Sequence, residues 1–380
     1  MAADLIRGTG RAPPVSSNTT FAQEKRRLVR EYATATNVEG LWQVLTTLVP
    51  LALVGWGMAA LAEAHPGLTA LLGLPLTLLF IRVFSLMHDS GHGSLFRFKP
   101  LNRLFGFLFG VLSGMPQYVW SQRHAFHHKT NGDWERFRGP LTTLSTAEYD
   151  ALSEGQRRVW RRSRHLALAP LGGFVYLAFN PRFNWLRGNL AMLWQVLRDR
   201  LTGRSRSLAQ GFATHASRYW KSWREYRHMT GNNLVLLTLW WLAWQLPGAF
   251  FATYLCALSV AGGVGIALFT VQHNFENAYA SDTANWDADA GSLHGTSFLV
   301  LPGWLNWVTA NIGFHHVHHL SSSIPLYRLR KCHERNAHLF TDVRRIRLAE
   351  VPSHLRCLLW DRDAGRIVSF ADHDRRRAGA

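Results

Sequence analysis

The sequence predicts an all-α integral membrane protein, with four transmembrane helices in two hairpins and a helical cap on the cytoplasmic side. Three observations indicate this fold class. Long stretches lack Asp, Glu, Lys and Arg, and the longest extends over 47 residues, from Met229 to Phe275. Lys and Arg lie in runs beside these stretches, as they do on the cytoplasmic side of membrane proteins. Clustered histidines have the spacing of one helix face.

The first predicted hairpin consists of spans at about 41–62 and 68–87. Each is long enough for a hydrocarbon core about 30 Å thick, which takes about 20 residues of helix. The loop between them, Glu63 to Gly67, has no Lys or Arg, whereas basic residues precede and follow the pair. We therefore expect this loop to face away from the cytoplasm. Arg82 lies near the end of the second span, where its long side chain can snorkel or pair internally.

Two shorter apolar stretches lie between the hairpins. Residues 104–120 are interrupted by three glycines and one proline, and residues 165–181 form a run of 17 uncharged residues. Each stretch can cross the membrane or re-enter on the side where it began. Re-entry is favoured for 104–120, because a full crossing would place the histidines before and after it on opposite sides of the membrane.

The second predicted hairpin lies in the long uncharged block, which breaks at Gln245-Leu246-Pro247-Gly248 into spans of about Asn233–Trp244 and Ala249–Val271. Residues 297–310 are predicted to form an amphipathic interfacial segment. The predicted organisation is a cytoplasmic N-terminal segment (1–38), a membrane-embedded domain (39–345) and a cytoplasmic C-terminal tail (346–380). Both termini are expected in the cytoplasm.

The charge balance excludes two broad classes. There are 42 Lys and Arg against 24 Asp and Glu, which gives a net charge of +18. A nucleic-acid-binding protein is not indicated, because no reading motif accompanies the charge and the basic runs flank apolar spans. A disordered chain is excluded, because 47% of the residues are hydrophobic.

The histidines carry the strongest chemical signal. At a frequency of 19 in 380 residues, the pattern HxxHH is expected by chance about 0.05 times in a chain of this length. It occurs twice, as His124-Ala125-Phe126-His127-His128 and His315-His316-Val317-His318-His319. Residues i, i+3 and i+4 share a helix face, so each set presents three imidazoles together.

Further histidines follow other apolar segments. His88 and His92 are an i, i+4 pair at the end of the second span, and His273 follows the last span. All four clusters lie on the predicted cytoplasmic side. Imidazole is the commonest metal ligand in proteins. A single zinc takes three or four ligands, so these nine histidines suit two metal ions. The ligand type alone does not decide which metal is bound.

At these residues the sequence resembles the membrane fatty acid desaturases, whose three histidine boxes have the patterns HxxxH or HxxxxH, HxxHH and HxxHH. The surrounding segments HDSGHGSLF, HHKTNGD, VQHNFENAY and HHVHHLSSSIPLYRL look like the bacterial branch of the acyl-lipid, omega-6-type desaturases. The resemblance covers roughly residues 40–340. The order of the boxes is specific for the superfamily and much less so for the substrate.

The resemblance implies an oxidoreductase with two iron ions held by histidines and with dioxygen as co-substrate. It also implies a lipid acyl substrate in the membrane and a separate electron donor, a ferredoxin or a cytochrome b5. His273 matches an additional family histidine, and His315 is assigned in place of His316 because only His315 has the i, i+3, i+4 relation. The implied ligands are His88, His92, His124, His127, His128, His273, His315, His318 and His319.

Three acids are candidates for orienting the ligand imidazoles from behind: Asp89, Asp133 and Glu276. No catalytic side chain beyond the metal ligands is expected. Two other functions stay open. The same centre can insert oxygen, as in lipid hydroxylases and carotenoid hydroxylases or ketolases, or the chain can be a non-enzymatic membrane protein that binds metal. Acyl chain length, double-bond position, substrate carrier and oligomeric state are beyond what the sequence specifies.

Overall fold

The computed structural model describes residues 19–138 and 142–378, and the described chain is mostly helical. The helices of its first half are α1 (Thr19–Tyr32), α2 (Asn37–Leu61), α3 (Pro66–Leu71), α4 (Gly73–His92), α5 (Lys99–Leu112), α6 (Gln117–Thr130), α7 (Thr146–Asp150), α8 (Glu154–Ser163), α9 (Ala169–Phe174) and α10 (Asn180–Leu201). A π-helix, Val175–Phe179, joins α9 to α10.

The helices of the second half are α11 (Leu208–Tyr219), α12 (Trp223–Trp244), α13 (Gly248–His273), α14 (Ala288–Leu293), α15 (Gly303–Val308), α16 (His315–Leu320), α17 (Leu326–Arg335), α18 (Val351–His354) and α19 (Phe370–Ala378). Single 3₁₀ turns precede α9 and α18 and follow α17.

Five short strands, which the all-α prediction did not include, lie in the part of the chain that caps the long helices. They are β1 (Leu144–Ser145), β2 (Phe298–Val300), β3 (Arg345–Arg347), β4 (Cys357–Asp361) and β5 (Arg366–Ser369). Strand β4 pairs with β1 in parallel and with β5 in antiparallel orientation, and β2 pairs with β3 in parallel. Strand β3 runs across the predicted boundary between residues 345 and 346, and β4, which follows it, pairs with β1.

Three helical units in the described residues are long and apolar enough to cross a membrane: α2, the bent unit formed by α3 and α4, and α13. They contain three of the four predicted spans. The fourth, 233–244, forms the second half of α12. Helix α12 begins at Trp223 and includes charged residues in its first two turns. It is not one of the three helical units that are long and apolar enough to cross a membrane.

The segment 104–120 folds into a helical hairpin. Helix α5 ends at Leu112, and the chain turns through Gly114, whose φ is +74°, before α6 begins at Gln117. The hairpin returns to the end of α4, where the ring of His124 lies 4.5 Å from the ring of His88. The histidines before and after this segment therefore face the same region, as the re-entrant alternative requires.

The segment 165–181 reaches the middle of α13. A Cβ atom placed on Gly173 would lie 2.3 Å from the backbone nitrogen of Gly263 and 2.4 Å from the carbonyl oxygen of Ser259. Only glycine permits this approach between α9 and α13. Past the π-helix, Trp185 donates a hydrogen bond to Thr230, so α10 returns along α12. This segment therefore packs first against α13 and the chain then continues along α12.

Arg82 pairs internally, one of the two alternatives from the sequence. Its side chain is 1% exposed. Its Nε atom donates to Thr47 Oγ1 at 2.8 Å, and its guanidinium also donates to Gln43 Oε1 and to the carbonyl oxygen of Trp307. The guanidinium lies 4.1 Å from the centroid of the Trp307 ring. Arg82 thereby ties α15 to α2 and α4.

Candidate metal centre

The end of α4 presents the first two histidines. His88 and His92 are one turn apart, and their ring centroids are separated by 4.8 Å. The helix stops at Gly93, which has a φ of +72° and whose backbone nitrogen donates to the carbonyl oxygen of Ser90. A left-handed glycine is a common helix end. It turns the chain away directly after His92 and leaves both imidazoles at the helix terminus.

Helix α6 contributes three imidazoles, and its geometry divides them. His124 and His128 are one turn apart, with their Nε2 atoms 3.0 Å from each other. His127 is rotated by about 100° from His128 around the helix axis. Its Nε2 atom instead lies 3.2 Å from the Nε2 atom of His273, the last residue of α13. One HxxHH pattern therefore serves two neighbouring groups.

Helix α16 divides its histidines in the same way. His318 faces His88 and His92, with ring centroids 4.5 and 5.0 Å away. His315 faces His273, and their Nε2 atoms are 2.9 Å apart. This short helix is held in place by Ser292 of α14, whose hydroxyl donates to the carbonyl oxygen of His319.

The nine histidines implied by the resemblance come together in two groups. Within each group the ring nitrogens that could bind a metal lie within 4.8 Å of one another. His128 and His319 belong to different groups and are stacked with centroids 4.1 Å apart, so the groups are adjacent. The five-histidine group is His88, His92, His124, His128 and His318; the four-histidine group is His127, His273, His315 and His319.

The distances between nitrogens fit shared metal ions. Two imidazole nitrogens about 2.1 Å from one metal and at right angles to each other are about 3.0 Å apart. The close Nε2 pairs here lie at 2.9 to 3.2 Å. The Nδ1 atom of His273 is 3.2 Å from the carbonyl oxygen of Gly295. A carbonyl only accepts, so Nδ1 carries the proton, and the Nε2 lone pair faces the group.

Unpartnered polar atoms support the same interpretation. Among the described residues, both ring nitrogens of His318 and the Nε2 atom of His92 are buried without a hydrogen-bond partner. A buried unsatisfied polar group costs about 1–3 kcal/mol. A bound metal would satisfy several such atoms at once. The chemistry of the donor set, neutral imidazole nitrogen throughout, also fits transition metals such as iron.

Burial keeps these imidazoles uncharged. The pKa values of six of them are lowered well below the ordinary histidine value, first by burial and then by repulsion from neighbouring imidazoles. Neutral imidazole is the form that binds a metal, so the protein presents its donors without a cost for losing a proton. The six histidines are His124, His127, His128, His315, His318 and His319.

His316 lies outside both groups. Its Nε2 atom is 2.8 Å from Nδ1 of His333, and the pair packs against Phe340. His316 points about 100° around α16 from His315 and is fully buried.

The three acids predicted to orient imidazoles have other surroundings, and in the described part of the chain none of them hydrogen-bonds to one of the nine histidines. Asp89 accepts from Ser94 and from the backbone nitrogen of Leu326, because it lies on the side of α4 away from His88 and His92. Asp133 accepts from Thr283. Glu276 is exposed, because it lies beyond the end of α13.

Two aromatic residues beside the groups were not singled out from the sequence. Trp120 stacks on His124, with centroids 4.4 Å apart and planes 17° apart, and its indole nitrogen donates to the hydroxyl of Tyr176. Phe269 lies 4.9 Å from His273. Each precedes its histidine by four residues, so the i, i+4 relation was the available signal. Their rings restrict the imidazole orientations.

Comparisons with known proteins show the family to which this chain belongs. The family model described as fatty acid desaturase matches residues 64–348. The chain is 30% identical over 363 residues to a fatty acid desaturase of Bacillus subtilis, covering 92% of each chain. It is 22% identical over 285 residues to the sn-1 oleoyl-lipid 12-desaturase of Anabaena variabilis, covering 74% of this chain and 69% of that protein. This chain belongs to the fatty acid desaturase family.

Proposed function

We propose that this protein is a dioxygen-dependent acyl desaturase whose nine histidines hold two iron ions. The observation that carries the proposal is the pair of adjacent, buried histidine groups in a chain of the desaturase family. Four and five imidazoles are each enough to hold one metal. When bound, the irons supply the oxidising power for removing hydrogen from an unactivated methylene group, which no side chain has.

The proposed reaction converts two neighbouring methylene groups into a double bond. One dioxygen, two electrons and two protons are consumed along with the two substrate hydrogens, and two waters leave. The protein's contribution is to position the imidazoles, to keep them neutral and to exclude bulk water. His127, His273, His315, His318 and His88 are each 6% exposed or less.

The proposed substrate is an acyl chain carried by a membrane lipid. Two features support this class: the three apolar helical units and the similarity to the Anabaena protein, whose name describes a lipid-linked oleoyl group. The proposed electron donor is a separate ferredoxin or cytochrome b5. An acidic donor suits the net charge of +18, because opposite charges steer association. We further propose that the histidine groups and both termini face the cytoplasm of a bacterial inner membrane.

Expression in a host that lacks polyunsaturated lipids tests this function. We expect mass spectrometry of total fatty acids to show a new double bond with the wild-type chain and none with His127→Ala. The matched control is His338→Ala, which removes an exposed histidine outside both groups. A hydroxyl or keto product would favour the hydroxylase or ketolase alternative, and full activity of His127→Ala would remove this residue from the ligand set.

A further inference from the structure

Helix α10 has an apolar face that the described chain leaves uncovered. Its exposed residues recur at intervals of three and four, which defines one continuous stripe along the helix. Trp194 is 65% exposed and Leu190 is 57% exposed. The stripe consists of Phe183, Leu186, Leu190, Leu193, Trp194 and Leu197.

The opposite face of α10 packs against other parts of the chain. Met192 and Val196 are buried against Trp220 and Met229. A Cβ atom on Gly188 would lie 3.0 Å from the Trp220 ring, and one on Gly211 of α11 would lie 3.0 Å from Val196. The helix is therefore fixed in rotation, and the stripe cannot turn inward.

Arginines border the stripe on both edges. At 100° per residue, Arg187 and Arg198 lie beside one edge, and Arg200 lies beside the other. All three are exposed. The guanidinium of Arg198 lies 3.6 Å from a carboxylate oxygen of the neighbouring Asp199. Arg187 and Arg200 have no acidic partner within residues 19–138 and 142–378. An apolar helix face bordered by Arg is typical of a helix that lies in a membrane interface.

The depth of α10 can be traced through its contacts. The preceding π-helix packs beside the middle of α13, where Leu177 would be 2.9 Å from a Cβ on Gly262. From there α10 follows α12 toward its first turns. A helix of 22 residues is about 33 Å long, whereas one half of a hydrocarbon core is about 15 Å thick. A helix perpendicular to the membrane would leave the hydrocarbon after about ten residues, so α10 can contact lipid along its whole stripe only by running obliquely within one leaflet.

We propose that α10 is a lipid-facing helix immersed in the leaflet on the histidine side, with anionic phospholipids as its occupants. Their acyl chains cover the stripe, and their phosphate groups pair with Arg187, Arg198 and Arg200. A second copy of the chain fits this surface less well, because face-to-face contact of two stripes would bring the arginine rows together.

Spin labels on the full-length protein test the lipid contact. In a Cys256→Ser background the remaining thiols are buried, and burial raises the pKa of Cys332 to about 12, which suppresses its labelling. Labels are placed at Leu190→Cys and Leu197→Cys in nanodiscs of phosphatidylcholine with phosphatidylglycerol. The controls are Leu53→Cys on the exposed face of α2 and Asp363→Cys in the β4–β5 turn.

We expect the labels on α10 to collide with oxygen and to be shielded from a water-soluble nickel complex, as at Leu53→Cys. Accessibility like that of Asp363→Cys would overturn the proposal, because the stripe would then face water. Dipolar broadening between labels on two copies of the protein would also overturn the proposal, and so would shielding of the α10 labels from both oxygen and the nickel complex. In either case protein would cover the stripe.

The headgroup contact has a separate readout. We expect Arg187→Gln, Arg198→Gln and Arg200→Gln to weaken the preference of the protein for phosphatidylglycerol over phosphatidylcholine by about fivefold per arginine, as measured by native mass spectrometry of bound lipids. The charge-matched control replaces three exposed arginines of the cap, Arg335, Arg362 and Arg375. An equal loss in the control would overturn the assigned role of the three arginines on α10. Neither readout depends on bound iron or on activity.

Discussion

Residue spacing predicted the set of histidines but not how they are divided. The i, i+3, i+4 relation selected His315 over His316, and the structure places His315 in the four-histidine group. The i, i+3, i+4 spacing did not indicate that His127 and His128 would point into different groups. That division depends on where α13 and α16 lie relative to α6, which is a property of tertiary packing and not of any one pattern.

The acids show the limit of reasoning from neighbouring residues. Asp89, Asp133 and Glu276 are each within six residues of a predicted ligand, yet none hydrogen-bonds to one in the described chain. On a helix, a residue next to a ligand in sequence points about 100° away from it. Asp89 therefore faces Ser94 and Leu326.

Iron content distinguishes His315 from its neighbour. We expect His315→Ala to lower the iron content of the purified protein below about two per chain, because the loss of one of its four donors weakens metal binding by the four-histidine group. His316→Gln should keep about two, because a glutamine can still hydrogen-bond to His333. Plasma mass spectrometry measures both. An equal loss of iron in the two variants, with unchanged thermal unfolding, would contradict the assignment.

At the scale of elements, composition predicted the apolar helices best. The predicted spans 41–62, 68–87 and 249–271 lie within α2, the α3–α4 unit and α13. Strands β1, β2 and β3 were not predicted, because they have two or three residues each. They pair with segments far away in sequence, such as Leu144 with Leu359, so tertiary contacts decide their conformation.

The contact between α9 and α13 makes a sharp prediction. We expect Gly173→Ala to lower the free energy of unfolding by about 2 kcal/mol, because its Cβ would meet the backbone of Gly263 and force the helices apart. Gly172→Ala is the matched control, since its Cβ would lie at an ordinary 3.5 Å from Ile266. We expect this variant to be neutral or more stable, because alanine favours helix. Thermal unfolding in detergent measures both, and equal stabilities would contradict the described packing.

At the scale of the whole molecule, the basic residues and the apolar helices occupy different parts of the chain. The excess of 42 basic over 24 acidic residues is concentrated outside the apolar helices, on the segments that cap them or that border them, as on α10. This distribution explains how a chain with long apolar spans carries a net charge of +18.

Salt dependence tests the proposed pairing with an acidic donor. We expect the rate of reduction by an acidic ferredoxin to fall about tenfold or more between low salt and about 0.5 M salt, because ions screen the attraction that steers the encounter. Stopped-flow absorption measures this rate. Reduction by a small neutral reductant is the control and should change little. A rate with ferredoxin that is independent of salt would contradict electrostatic steering.

The central claim is that nine histidines hold two irons in one centre. The most direct test is the metal content of the purified wild-type protein, measured by plasma mass spectrometry against the protein concentration from amino-acid analysis. We expect about two irons per chain, since neither histidine group alone has donors for both. One zinc per chain, with no iron and no consumption of oxygen, would contradict it.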